Sequence, residues 1–311
     1  MQNKISGRQL SAWLLVATVG PLLSVVGRNG WVTVLLGAVL CGTLTFCVLT
    51  CKTVVWPRWL CILEAVWLVV FLGGLAKSSG SCWETKHREF AIPAILLLLA
   101  ALASARGAFC AARTGASLLW LALPVLGVVA LAGTSDAHLQ WVRQGLDVPD
   151  GTLISLLLVP SLAIFLPRET SDKTRWTALL LGMIAVAASV LMDAAMGSAV
   201  AIRAENSFYE FSKGISLLGV AERFEGIVAC VLTLGWFALF AFILSAIHYL
   251  LKQVFSEIKS WSVWITVLIA LAVMCILPEK DYWMAMGTLI FWGFLPVAAQ
   301  GIVGAKNVEK K

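Results

Sequence analysis

The amino-acid sequence predicts an all-α polytopic membrane protein of about ten spanning helices, and three observations carry that expectation. First, 60% of the 311 residues are hydrophobic and only 13% charged, with a mean hydropathy of +0.91. Soluble domains are roughly half apolar and about a quarter charged, so a soluble core of this size could not hide so much apolar surface. Second, the charges gather in short connectors between long uncharged stretches, the pattern that a bilayer imposes. Third, ten stretches approach the roughly 20 mainly apolar residues that a spanning helix needs.

The spans are expected in the following order. Span 1, residues 9–27, has no charge and carries Gly20-Pro21 at its middle. Span 2, 31–51, opens on Trp31, and span 3, 59–76, holds a single charge, Glu64. Span 4, 90–105, is short and rich in Leu and Ala; span 5 covers 114–133. Span 6, 151–167, is short and interrupted at Pro160. Span 7, 176–197, has Asp193 near its end, and span 8, 226–251, is the longest. Spans 9 and 10 cover 260–277 and 282–304. Trp31, Trp56, Trp59, Trp176, Trp261, Tyr282 and Trp283 fall at expected span ends, where amphipathic rings settle at the membrane interface. The first apolar run is too long for a cleavable signal and lacks a small-residue cleavage site, so it is expected to stay as a helix.

An even number of spans puts both termini on one side. That side collects Lys4, Arg8, Lys52, Arg58, Arg106, Arg113, Arg168, Lys173, Arg175, Lys252, Lys259 and the C-terminal Lys306, Lys310 and Lys311, 14 of the 23 Lys and Arg, so both termini are expected in the cytoplasm. The same distribution explains the basic balance of the chain. No basic patch with interleaved aromatics and no nucleic-acid-binding motif accompanies it, so no nucleic-acid partner is expected.

No enzyme constellation is present: the sequence has no HExxH, no Walker loop, no nucleophile elbow and no closely spaced carboxylates within a span. Most of the eight cysteines lie in apolar runs, where Cys acts as a small hydrophobe. Cys47 and Cys51 share a helix face but have no His or carboxylate beside them, short of the four ligands of a structural zinc. Cys82 alone reads as loop-exposed. Neither a metal nor a cofactor is expected.

Four features mark where a ligand could sit. Gly20-Pro21 in span 1 and Pro160-Ser161 in span 6 interrupt equivalent helices if the ten spans form two halves of five. Interrupted helices at matching positions point to a transporter binding site, where freed backbone groups hold the substrate. Simple proline kinks are the other reading, and Pro124 and Pro296 in spans 5 and 10 weaken the contrast. Glu64 lies about six residues inside span 3, roughly 9 Å along the axis. A carboxylate there is costly unless paired, protonated or facing water. It is either a cavity-facing group for a substrate amine or a proton, or a side chain that reaches the interface or Arg58. Asp193, nearer the outer end of its span, reads as an interfacial group, with a site the sharper role, and His248 as an interfacial or core histidine, with a proton relay the sharper role. Between spans 7 and 8, Phe208, Phe211, Ile215 and Leu218 recur at helical spacing with Glu205, Glu210 and Lys213 between them. That is a short amphipathic helix on the outer face, either packed on the bundle or serving as a lid.

Three stretches carry a family resemblance. KISGRQLSAWLLVATVGPLLSVVGRNGWVTVLLG, with Ile5, Ser6, Gln9, Leu10, Gly20 and Trp31, resembles the start of the spore germination permeases, the B subunits of germinant receptors. SARGAFCAARTGASLLWLALPVLGVV, through Gly107 and Arg113, looks like the opening of that family's fifth helix. The stretch from Glu205 to Phe255, with Glu222, Arg223, Phe224 and Glu225 at the junction, is similar to its outer connector and eighth helix. Asn29-Gly30 stands where the family often has an aspartate before the helix 2 tryptophan, and Glu225 where it often has Asp.

The resemblance implies an amino acid–polyamine–cation transporter fold over the whole chain: two inverted five-helix repeats, 5–135 and 151–304, with interrupted helices 1 and 6. It also implies a nutrient germinant such as an amino acid, assembly with receptor A and C subunits, and a spore inner-membrane location. On this reading the nutrient sits at the midplane between the Gly20-Pro21 and Pro160-Ser161 breaks, beside spans 3 and 8, with Glu64 and the hydroxyls of Thr18, Ser24 and Thr233 at hand. A stand-alone secondary amino acid transporter and an assembly subunit without a ligand are the rival expectations.

Overall fold

The computed structural model describes residues 5–50, 56–81, 90–135, 137–142, 147, 149–166, 173–214, 224–255, 260–278 and 282–298. Every element among them is helical. Helix α1 (Gly7–Val26) begins at Ser6, whose Oγ accepts the Gln9 N–H and so satisfies one of the free donors of the first turn. It is followed by α2 (Trp31–Thr50), α3 (Arg58–Ser81), α4 (Ala91–Ala105) and α5 (Ala108–Thr134). Then come α6 (Gly151–Leu158), which continues as a 3₁₀ segment (Val159–Phe165), and α7 (Lys173–Met196). Two short helices, α8 (Ser198–Arg203) and α9 (Ser207–Lys213), lead to α10 (Glu225–Val254). Helices α11 (Trp261–Ile276) and α12 (Tyr282–Thr288) complete the bundle, α12 running on through a π turn at Leu289–Phe294.

Six of these helices are long and apolar enough to cross a membrane: 7–26, 31–50, 58–80, 108–134, 174–196 and 225–254. Four shorter apolar helices, 91–105, 151–165, 261–276 and 282–298, fall on the remaining predicted spans. Two boundaries depart from expectation. Helix α5 starts at Ala108 rather than 114, because the stop lies at Gly107, whose φ of 103° is a conformation that side chains resist. Helix α3 runs on past 76 to Ser81, and the Lys77 Nζ donates to the Leu277 carbonyl 2.7 Å away at the end of α11.

Span 1 corrects the sequence reading: α1 is one unbroken helix through Gly20-Pro21. Proline removes only the bond to the Ala17 carbonyl. From Gly20 to the end of the helix every residue is buried, so its neighbours hold the axis across that gap. Span 6 does change its winding, from α to 3₁₀ at Val159 beside Pro160, and every residue from Gly151 to Leu166 is buried. The chain does not stop there; it tightens.

Helices α1, α10 and the α6–3₁₀ segment form the centre. Helix α1 packs on α10, α5, α7 and α6; α2 on α7 and α6; α3 and α4 each on α10 and α11; α6 on α12. The outer helices are apolar on the outside as well. On α5, Trp120 is 80% and Leu131 74% exposed, and on α7 Met183 is 70% exposed. Apolar faces of that extent suit lipid and not water. The molecule's apolar helices are those of a chain compatible with several membrane crossings.

At one end a polar clasp joins the α1–α2 turn to the start of α6. The buried Asn29 accepts the Asp150 N–H at its Oδ1 (2.9 Å), and its carbonyl accepts Ser189 Oγ of α7. Gly30 N–H donates to Asp147 Oδ2, and Thr33 Oγ1 to the Asp147 carbonyl. Arg28 forms an ion pair with Asp150 at 3.7 Å. Helix α9 lies near this end, capped by Asn206, with Phe208 and Phe211 buried. It packs on the bundle as a surface helix; Ile215 and Leu218 lie outside the described residues.

Candidate functional site

Glu64 is wholly buried in α3, and neither carboxylate oxygen has a hydrogen-bond partner among the described residues. One turn before it, the Cys61 thiol donates to Gln253 Oε1 of α10 at 3.4 Å, which fixes the register between these helices. On the α11 side of α10, His248 Nδ1 and Ser262 Oγ lie 3.2 Å apart, and Thr266 Oγ1 donates to the Ser262 carbonyl. The N-terminal ends of α3 and α11 and the C-terminal end of α10 thus carry polar groups within apolar helices. The sequence singled out Glu64 and His248 among them. Gln253, Ser262 and Thr266 passed unnoticed, because a lone polar residue near a helix end carries no signal until the register is known.

The other expected site residues do not gather around Glu64. Cys61 meets Gln253, and α10 runs antiparallel to α3, so Gly235 is roughly 20 Å further along the bundle at 1.5 Å per residue. Gly20 is opposite Gly235: a Cβ on Gly235 would stand 2.9 Å from the Gly20 Cα and 3.3 Å from the Val16 carbonyl oxygen. The sequence reading took Gly20 for a break; it is a point where two helix backbones touch, as small residues allow in membranes.

The expected hydroxyls are turned inward on their own helices. Thr18 donates to the Leu14 carbonyl, Ser24 to that of Gly20 (3.2 Å), Thr233 to that of Ala229 (2.7 Å) and Ser161 to that of Leu158 (2.7 Å). In an apolar surrounding the carbonyl one turn back is the nearest acceptor, so these groups satisfy themselves. Pro21 stays in the helix beside Gly235, and Pro160 and Ser161 are buried in the 3₁₀ segment.

Beside Gly20 lies a cavity of about 510 Å³ between α1, α5, α7 and α10. Val19 and Leu23 of α1, Leu126 of α5, Ile184 of α7 and Leu234 of α10 are among its walls, and Phe208 of α9 touches one end. Every side chain lining it is apolar. Of the expected site residues only Gly20 belongs to it.

Two polar pairs in the core were not foreseen. Ser155 Oγ and Thr288 Oγ1 are 3.3 Å apart between α6 and α12, and Ser245 Oγ donates to Ser104 Oγ at 3.3 Å between α10 and α4. Each couples helices that are distant in the chain, which single serines in apolar runs do not reveal. No group of three or more His, Cys, Asp or Glu side chains suited to a metal ion occurs among the described residues. In comparisons with known proteins, no family model and no curated protein matches the chain.

Proposed function

We propose that this chain is a nutrient-sensing, permease-like subunit of a spore germinant receptor, with Glu64 as the group that receives the ammonium of a small nutrient, an amino acid above all. The observation that carries the proposal is Glu64 itself: a carboxyl group 0% exposed inside an apolar helix, with both oxygens lacking a partner. An ionisable side chain in a membrane span is retained at a cost and marks a ligand or ion path by default. An ammonium brings three donors and a compensating charge to an acceptor-only site.

The helix neighbours support a permease-like repeat. Exchanging each span for the one five later turns the α1–α5 pair into α6–α12, α1–α7 into α6–α2, and α3–α11 into α10–α4, and all six pairs are in contact, whereas the most extensive pair, α1–α10, has no comparable α6–α3 counterpart. On this reading the ten apolar helices form two inverted halves, both termini are cytoplasmic, and the chain works in the spore inner membrane with receptor A and C subunits. Glu64 is shielded from solvent, so a nutrient reaches it only when α3, α10 and α11 part. A ligand that binds the parted state more tightly shifts the population toward it, and that differential affinity is the signal.

The test is nutrient-triggered germination of spores carrying Glu64→Gln in the full receptor. A charge-assisted hydrogen bond contributes about 1.5–3 kcal/mol, so the nutrient needed should rise roughly ten- to hundredfold. Unchanged sensitivity at normal expression refutes the role of Glu64. Accumulation of an amino acid by the isolated chain in proteoliposomes would instead identify a stand-alone transporter.

A further inference from the structure

The cavity beside Gly20 plays no part in the reading built on Glu64, and its chemistry differs. Its lining runs from Leu118 to Ala130 on α5 and from Leu180 to Met192 on α7. Each stretch covers roughly 18 Å of helix axis. The space is therefore a slot parallel to the helices, close to the roughly 15 Å depth of one leaflet of a 30 Å hydrocarbon core. It is not sealed: Leu123 on α5 and Ala187 on α7 line it and are also exposed on the outer surface.

No lining side chain is polar, so the charged ends of an amino acid would be desolvated there without partners, at several kcal/mol each. An ordered water needs about two to four polar partners, and no side chain of this lining supplies one. Hydrocarbon needs none, and an empty slot forfeits the dispersion contacts of its walls. The outer faces of α5 and α7 on either side of the mouth, at Trp120 and Met183, are exposed and apolar, so hydrocarbon is what adjoins it.

We infer that this slot binds one acyl chain of a bilayer phospholipid, which enters between α5 and α7 and lies against Val19 and Leu23 of α1. Phe208 closes the slot at the α9 end, so the chain belongs to the leaflet on that side. The contact between Gly20 and Gly235 forms part of the floor, bringing the two central helices together beneath it.

The inference rests on the apolar helices lying in a bilayer and on nothing concerning germination. Its test uses the full chain in nanodiscs of phosphatidylcholine bearing a diazirine in the acyl chain. After irradiation, labelled peptides are mapped by mass spectrometry. Label is expected on α1 at Val19 or Leu23, behind the outer helices, as well as around Trp120 and Met183. Ala122→Phe and Ala188→Phe, one on each wall, should each lower the α1 label at least fivefold and leave the label at Trp120 and Met183 unchanged. An unlabelled α1 in the unmodified chain overturns the inference whether or not the variants fold. So does displacement of the α1 label by an amino acid mixture, which would make the slot a nutrient site. Glu64→Gln should leave the α1 label unchanged, so the two readings fail separately.

Discussion

Glu64 and Gly235 show what one side chain, or its absence, does in this bundle. A buried carboxyl without a partner burdens the fold, and replacing it with an apolar group of similar size removes that burden. Glu64→Leu is therefore expected to unfold at a temperature equal to or above that of the unmodified protein in detergent, with nutrient response lost. A lower unfolding temperature would mean that the carboxyl is part of the packing. At the Gly20–Gly235 contact, a Cβ has no room. Gly235→Val should cost about 1–3 kcal/mol as overpacking, read as a lower unfolding temperature. Gly127→Ala, with nothing within 4 Å of the added carbon, should be neutral or stabilising. Glu64 was legible in the sequence because a lone charge in a span stands out. Gly235 was not, because one glycine in an apolar run says nothing until the helix that crosses it is known.

Individual helices divide in the same way between what hydropathy reveals and what packing decides. The ten apolar stretches are helices where they are described, close to the expected bounds apart from the start of α5 and the end of α3, and residues 299–304 of span 10 lie outside the described residues. The behaviour of a proline within them depends on the neighbours. In α1 the helix passes through Pro21 unbroken, whereas span 6 changes to 3₁₀ at Val159 beside Pro160. If Pro21 is not a hinge, Pro21→Ala restores the hydrogen bond to the Ala17 carbonyl, worth about 0.5–1.5 kcal/mol. Thermal unfolding should then shift upward while germination sensitivity stays unchanged. A loss of sensitivity in a stable Pro21→Ala protein would return the hinge to span 1. The bonding of the expected hydroxyls is also decided at this scale: Thr18, Ser24, Ser161 and Thr233 sit in helical segments, and a helix offers each its own carbonyl first.

For the whole molecule, the membrane class follows from composition, while the arrangement of helices depends on contacts between residues far apart in the chain. The clasp from Asn29 to Asp150, the Ser104–Ser245 pair and the crossing of α1 on α10 all join residues of the first five apolar helices to those of the last five. The proposed pairing of two five-helix halves predicts both termini on the cytoplasmic side. Reporters active only in the cytoplasm, fused to either end, should both be active; one active and one silent would mean an odd number of crossings and no paired halves. The central claim is that a bundle of this kind presents Glu64 to an amine. Equilibrium binding of a radiolabelled amino acid panel to the purified chain, compared with Glu64→Gln, tests it most directly. The account predicts saturable binding of at least one amino acid, weakened roughly ten- to hundredfold by the substitution, as the loss of a charge-assisted hydrogen bond requires. Equal affinity in the two proteins, or equal binding of an analogue lacking the amine, would contradict it.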